Sequence, residues 1–296
     1  MNPENINREF LDEVLSGNEV DSYYHLGVSS DDPIVAEMRD VKAVVMGGSG
    51  GRMRTFAEQW AKECDGTSVC LPKEDRFTVC LSGGVLFASH GMGTPSASIA
   101  VQELMRLMYF AKGGDLRELE KIFWVRVGTS GGVGLEPGSV VVTTEALMSD
   151  LKPYRVMDGP NGEIEFDPTF PANVVQGILQ ANALRNFPVV GGKTVCTNEF
   201  FLEQFRLDGA IRLTTPAKKI EWLRWLDSQG VRNIEMEGAM LAGYLNYWGF
   251  PSFAMICVAL LNRLEGDQVP YTPQELAEFS DRAGDVMFTY LRTLFE

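Results

Sequence analysis

Arg126 stands inside an apolar run, residues 122–127 (IFWVRV), and leads into Gly128-Thr129-Ser130-Gly131-Gly132. A buried guanidinium left unpaired costs several kcal/mol, so this residue requires an anion. A carboxylate from elsewhere in the fold would serve. A phosphate would also suit, met by the guanidinium, the Thr129 and Ser130 hydroxyls and the amides of a loop. A second glycine cluster at residues 47–51 (GGSGG) follows another apolar run and precedes Arg52. Such a segment either makes a tight strand-to-helix turn or brings backbone N–H groups close to an anion. The third signal is Asn233-Ile234-Glu235-Met236-Glu237. Carboxylates at i and i+2 of an extended segment share a side, where they could bind paired hydroxyls. They could also simply favour the start of a helix. No histidine or further acidic cluster stands at matching spacing, so a metal is not expected.

Several other chemistries fail on residue order. Residues 47–51 and 128–132 both fit the G-x-S-x-G nucleophile elbow, but that hydrolase needs an acid and then a histidine after the serine. The chain has two histidines, His25 and His90, neither suitably placed, and His90 is read as structural. A dinucleotide fingerprint starting at Gly48 would need glycine where Met53 stands, and no phosphate-binding P-loop motif is present. Five cysteines, at 64, 70, 80, 196 and 257, show no paired spacing and are expected to be reduced thiols.

Composition narrows the class further. The 296 residues are 45% hydrophobic and 22% charged, as in an ordinary globular enzyme. A net charge of -14 disfavours a nucleic-acid surface, so any anionic ligand must be met by a local group of cations. The first residues lack a signal-peptide pattern, and the longest apolar run, 253–261, is about half of the roughly 18 residues a membrane span needs. A cytoplasmic location without membrane or nucleic-acid partners is the expectation.

The elements that must position these residues alternate in type. Residues 41–46 read as a strand, followed by the glycine turn and a helix over 52–63. Residues 76–81 and 85–89 flank Ser82-Gly83-Gly84 as a hairpin. Thr94 reads as an N-cap with Pro95 at the first helical position, and Ile99, Val101, Leu104, Leu107 and Met108 line a buried face. Strands follow at 122–127 and 139–143, helices at 219–228 and 237–248, and a central buried strand at 253–261. A last helix begins at Thr272 with Pro273 and Glu275 completing a capping box. The order implies an α/β fold: a single three-layer α/β/α domain with a central mixed sheet flanked by helices. Residues 1–22 are read as an N-terminal extension and 23–296 as the domain.

Taken together, seven stretches resemble the nucleoside phosphorylase superfamily, and within it the animal-type uridine phosphorylase family. They are YYHLGV (23–28), VVMGGSGGRM (44–53), SHGMGTPSASI (89–99), VRVGTSGGVGLEPGSVV (125–141), QFRLDGA (204–210), RNIEMEG (232–238) and LLNRLEGDQ (260–268). The resemblance implies reversible phosphorolysis of uridine to uracil and ribose 1-phosphate, with inorganic phosphate as co-substrate and no other cofactor or metal. By position it implies phosphate binding by Gly48, Arg52, Arg126 and Thr129, with Arg76 reaching in from a neighbouring subunit. His25 would come from that neighbour to the ribose 5′-hydroxyl, while Met236, Glu237 and Thr129 hold the ribose. Gln204 would pair with O2 and N3–H of the base, Arg206 would donate to O4, and Phe200 would pack on the ring. Ser130, Gly131, Leu260, Leu261 and Arg263 complete the base site. A homo-oligomer with sites shared across a dimer interface follows. Phe77 stands where bacterial members carry a potassium-binding glutamate, so potassium is not expected. A purine or methylthioadenosine phosphorylase, or an inactive nucleoside-binding paralogue, is the alternative.

Overall fold

Valine and other β-formers in short apolar runs, separated by glycine turns, set the architecture of the computed structural model, which describes residues 7–71 and 76–296. The chain divides into two units, Met1–Val125 with Leu245–Phe253, and Arg126–Tyr244 with Ala254–Glu296. The first boundary falls inside a strand, so no linker marks it.

In chain order the elements are α1 (Arg8–Leu15), β1 (Ser22–Tyr23), β2 (Val28–Ser29), α2 (Pro33–Glu37), β3 (Ala43–Gly47), α3 (Gly50–Glu63), β4 (Ser68–Cys70) and β5 (Val79–Ser82). Next come β6 (Val85–Ser89), α4 (Thr94–Ala111), α5 (Leu116–Glu120), β7 (Phe123–Gly132), β8 (Val140–Met148), β9 (Arg155–Met157) and β10 (Glu163–Glu165). The chain ends with α6 (Ala172–Ala181), β11 (Val189–Cys196), α7 (Pro216–Ser228), β12 (Val231–Glu235), α8 (Gly238–Trp248), β13 (Phe253–Asn262) and α9 (Pro273–Phe295).

In the first unit the strand order is β7-β3-β6-β5-β4. β3 is buried along its whole length and runs parallel to β6, while β5 and β6 form the expected antiparallel hairpin with Ser82 opposite Val85. The hairpin turn works because Gly83 and Gly84 both take positive φ, +49° and +75°. The N-terminal segment is tied to α4: Arg106 pairs with Asp21, and Arg8 donates to the Tyr109 hydroxyl at 3.0 Å.

In the second unit the order is β12-β11-β8-β13-β7, with an additional β12–β7 pairing. Strands β8 and β12 are parallel to β11, and β13 is antiparallel to β8, so the sheet is mixed. The capping box at α9 forms as read, with Thr272 Oγ1 accepting from Glu275 N and the Glu275 carboxylate accepting from Thr272 N.

Five readings are corrected. The cap of α4 is Gly93, at φ +82°, with Thr94 already helical, and Ile99 is 39% exposed and does not join the buried face. Residues 128–132 are not a loop; β7 runs through them, with Gly131 and Gly132 opposite Ile234 and Asn233. Helix α6 and strand β11 occupy a region for which no element was anticipated. Finally, Cys70 and Cys80, cross-strand partners on β4 and β5, form a disulfide, leaving Cys64, Cys196 and Cys257 free. Antiparallel pairing places the two cysteines opposite each other, a relation that spacing alone does not reveal.

Candidate active site

Within the first unit, β3 delivers the chain to Gly48 and Ser49, and α3 starts at Gly50, two residues earlier than anticipated. Ser49 caps the helix, its hydroxyl accepting from Arg52 N at 3.4 Å. A Cβ on Gly48 would stand 3.0 Å from the Gly91 carbonyl oxygen, so this turn requires glycine to pack against the 90–91 segment. The first-turn amides and positive dipole end of α3, with Arg52 beside them, suit an anion. His90 lies buried behind this turn, its backbone N donating to Gly47 O at 2.9 Å.

His25 belongs to the same unit. Its Nδ1 lies 2.7 Å from Glu103 Oε1, and the same carboxylate accepts from the backbone N–H of His25 and Leu26 at 3.0 and 3.1 Å. Glu103 therefore fixes both the ring and the loop that carries it. The His25 ring centroid lies 6.4 Å from that of Phe77, the residue after exposed Arg76. His25 and the Arg76-Phe77 segment thus share one side of the unit.

Within the second unit, Arg126 is buried and meets three groups. Its Nη2 pairs with Glu237 and lies 3.1 Å from Glu235 Oε2, and Nη1 contacts Cys257 Sγ at 2.9 Å. Its Nε is buried with no hydrogen-bond partner among the described residues. The carboxylate partner left open by the sequence is thus present as a pair, while one donor remains for a further acceptor. Burial acts to lower the Arg126 pKa, but Glu237, Cys257 and Glu235 outweigh it and raise it well above the ordinary value. Burial pushes Glu235 up, Arg126 opposes this, and Glu237 adds to the rise, so the net direction is up. Burial likewise pushes the Cys257 thiol up to about 11. Glu235 also accepts from the backbone N–H of Glu237 and Gly238, both at 2.9 Å, fixing the turn from β12 into α8. Thr129 is half-buried on β7 and Met236 half-buried between the two glutamates.

A second group gathers around Gln204. Arg263, 0% exposed, donates from Nη1 to Gln204 Oε1 at 3.2 Å and from Nη2 to Gln204 O at 2.7 Å. Gln204 Nε2 donates to Thr197 Oγ1 at 3.0 Å. Because a guanidinium can only donate, it decides which way the amide faces. One N–H and one oxygen lone pair of the amide are not used by these two bonds. Arg206 is bidentate on Asp208, at 2.9 and 2.7 Å, and donates to Asp267 O at 2.6 Å, while its guanidinium lies 4.3 Å from the centroid of the 42% exposed Phe200 ring. Gly131 is required because a Cβ there would fall 2.9 Å from Arg263 Cγ. Leu261 is buried and Leu260 half-buried. The Ser130 hydroxyl is engaged inside the sheet, donating to Val258 O at 3.2 Å and accepting from Asn233 Nδ2 at 3.0 Å.

Four residues escaped the sequence reading. Glu103 is a carboxylate among the mainly apolar buried residues of α4, a detectable anomaly, and Asp208 and Asp267 lie inside motifs already quoted. Lys219 gave no signal. Among the described residues no group of three or more histidine, cysteine, aspartate or glutamate side chains could hold a metal. No described helix is long and apolar enough to cross a membrane.

The chain belongs to the Phosphorylase superfamily, matched over residues 42–296. Among its relatives, the uridine and thymidine phosphorylase of Caenorhabditis elegans is 38% identical over 274 residues, 92% of this chain and 90% of that one. Uridine phosphorylase 1 of Mus musculus is 38% identical over 271 residues, 88% and 85% of the two chains. The crystal structure of uridine phosphorylase from Schistosoma mansoni in complex with thymidine matches with a TM-score of 0.86 at 31% identity, covering 95% of this chain and 96% of that one.

Proposed function

We propose that the chain is a uridine phosphorylase, a pentosyltransferase that reversibly converts uridine and phosphate to uracil and ribose 1-phosphate in pyrimidine nucleoside catabolism and salvage. The observation that carries this is the Gln204 amide held in one orientation by Arg263 and Thr197, with Arg206 alongside. Its remaining donor and acceptor complement O2 and N3–H of a pyrimidine, and a site built for those bonds rejects bases that leave them unpaired. Asn262, near which a purine-selective site would be expected to place an aspartate, spends its side chain on the local turn, accepting from Leu264 N at 3.2 Å.

The proposed chemistry needs no covalent nucleophile. As the glycosidic bond stretches, positive charge develops on the ribose and negative charge on the base, and each is met by preplaced groups. Phosphate is bound by Gly48, Arg52, Arg126 and Thr129, with Arg76 supplied by a second copy, and attacks the cationic sugar. The buried Arg126 Nε is a donor suited to it. Glu237, oriented by Arg126, accepts from the ribose 2′-hydroxyl beside Met236, and the partner copy's counterpart of His25 reaches the 5′-hydroxyl. Phe200, Leu260, Leu261 and the Ser130-Gly131 backbone enclose the base. Holding both substrates in contact removes much of the entropic barrier. The proposal includes a homodimeric or larger assembly, residues 23–296 as the catalytic domain, a cytoplasmic location and no cofactor beyond phosphate as co-substrate. Rates on uridine, thymidine, inosine and methylthioadenosine at one phosphate concentration test it: uridine should be fastest and thymidine a secondary substrate. A faster reaction with either purine nucleoside would overturn it.

A further inference from the structure

Lys219, on α7, is 4% exposed, although its sequence context contains no base-site motif. Its ammonium donates to Asp267 Oδ1 at 2.7 Å. The same oxygen accepts from Arg263 Nε at 2.9 Å, Oδ2 accepts from Leu207 N at 2.9 Å, and the Asp267 carbonyl accepts from Arg206 Nη2 at 2.6 Å. Asp267 is therefore the joint through which both arginines of the base site are held. Charge within this cluster is unbalanced. Asp208 pairs with Arg206, and Asp267 is shared by Arg263 and Lys219, so three cations face two carboxylates.

We infer that Lys219 is a positioning residue whose charge, by occupying Asp267, leaves the Arg206–Arg263 pair with one uncompensated positive charge for the departing base. The inference rests on the uridine phosphorylase reading. Without the ammonium, Asp267 would neutralise Arg263 outright, and the base site would keep its hydrogen bonds but lose its net charge. In a site shielded from water that difference acts on an anion and spares a neutral ligand of the same shape. A lysine that merely braced the fold would affect both alike.

The test compares the wild-type protein with Lys219→Met, Lys219→Gln and Lys219→Arg. Calorimetry with phosphate present measures binding of uracil, neutral at pH 7, and of 5-nitrouracil, an anion at that pH. Lys219→Met should weaken 5-nitrouracil by about tenfold, the order expected for loss of one nearby charge in a partly shielded site, while uracil changes by less than about threefold. Lys219→Arg should restore the anion's affinity. Lys219→Gln keeps a donor to Asp267 without charge and carries the comparison if the methionine variant does not fold. Equal losses for the two ligands, or no loss for either, would overturn the role of Lys219. Uridine turnover by the wild type is followed separately. Its absence alongside the expected binding difference would overturn the assigned activity and leave the role of Lys219 supported.

Discussion

At the scale of single residues, Arg126 shows what sequence could and could not provide. Its position in an apolar strand demanded an anion, but the partners that meet it, Glu235 and Glu237, lie over a hundred residues later and come together only through the β12–β7 pairing. Replacing it leaves two buried carboxylates without their cation. Arg126→Gln should lose about 3–5 kcal/mol of stability together with phosphorolysis, measured by urea unfolding and uracil release; an unfolding midpoint equal to wild type would contradict the pairing. Asp267 gives a pH-dependent prediction. Burial acts to raise its pKa, but the Lys219 hydrogen bond, the Leu207 N–H and Arg263 outweigh this and hold it below the ordinary 3.8. A carboxylate with a lowered folded pKa contributes stability that is complete above its unfolded pKa and lost as pH falls through the folded one. The stability gap between wild type and Asp267→Asn should therefore be constant at neutral pH and close in acid below pH 3.8. A gap that widened on acidification would contradict this assignment.

At the scale of elements, periodicity and punctuation were readable where local chemistry decides the structure. The β5–β6 hairpin, the α9 capping box and the buried β13 all formed where glycine, proline and apolar runs placed them. The failures at residues 128–132 and at Cys70 and Cys80 share one physical cause, which is that partners distant in sequence decide the structure there. Three glycines in residues 128–132 argue for a loop, but pairing with β12 draws that segment into β7, where the bare Gly131 leaves room for the Arg263 side chain. The candidate site shows the same limit: Gln204, Arg206 and Arg263 lie in the stretches that carry the family resemblance, whereas Lys219 reaches Asp267, and Glu103 reaches His25, through contacts made only by the folded chain. The Cys70–Cys80 disulfide likewise depends on strand register. Alkylation in denaturant without reductant should modify three cysteines, Cys64, Cys196 and Cys257, and reduction should expose all five. Five modified cysteines before reduction would contradict the disulfide.

At the scale of the whole molecule, a chain of net charge -14 can meet an anion only with a local group of cations, and the proposed function assigns that task to Arg52, Arg76 and Arg126. His25 and the Arg76-Phe77 segment lie on one side of the first unit, which supports their joint contribution to a neighbouring copy's site. Mixing Arg76→Ala with Arg206→Ala subunits under exchange conditions tests this. Each parent should be inactive, and an equal mixture should recover about a quarter of wild-type activity, as random pairing into two-fold dimers makes about half of them hybrids with one intact site of two. No recovery would place each site within a single subunit. The central claim is phosphorolysis itself, and its most direct measurement is the product balance from uridine with and without inorganic phosphate. Uracil and ribose 1-phosphate should form in equal amounts with phosphate, and no uracil without it. Uracil released at the same rate without phosphate, or none released with it, would rule out phosphorolysis.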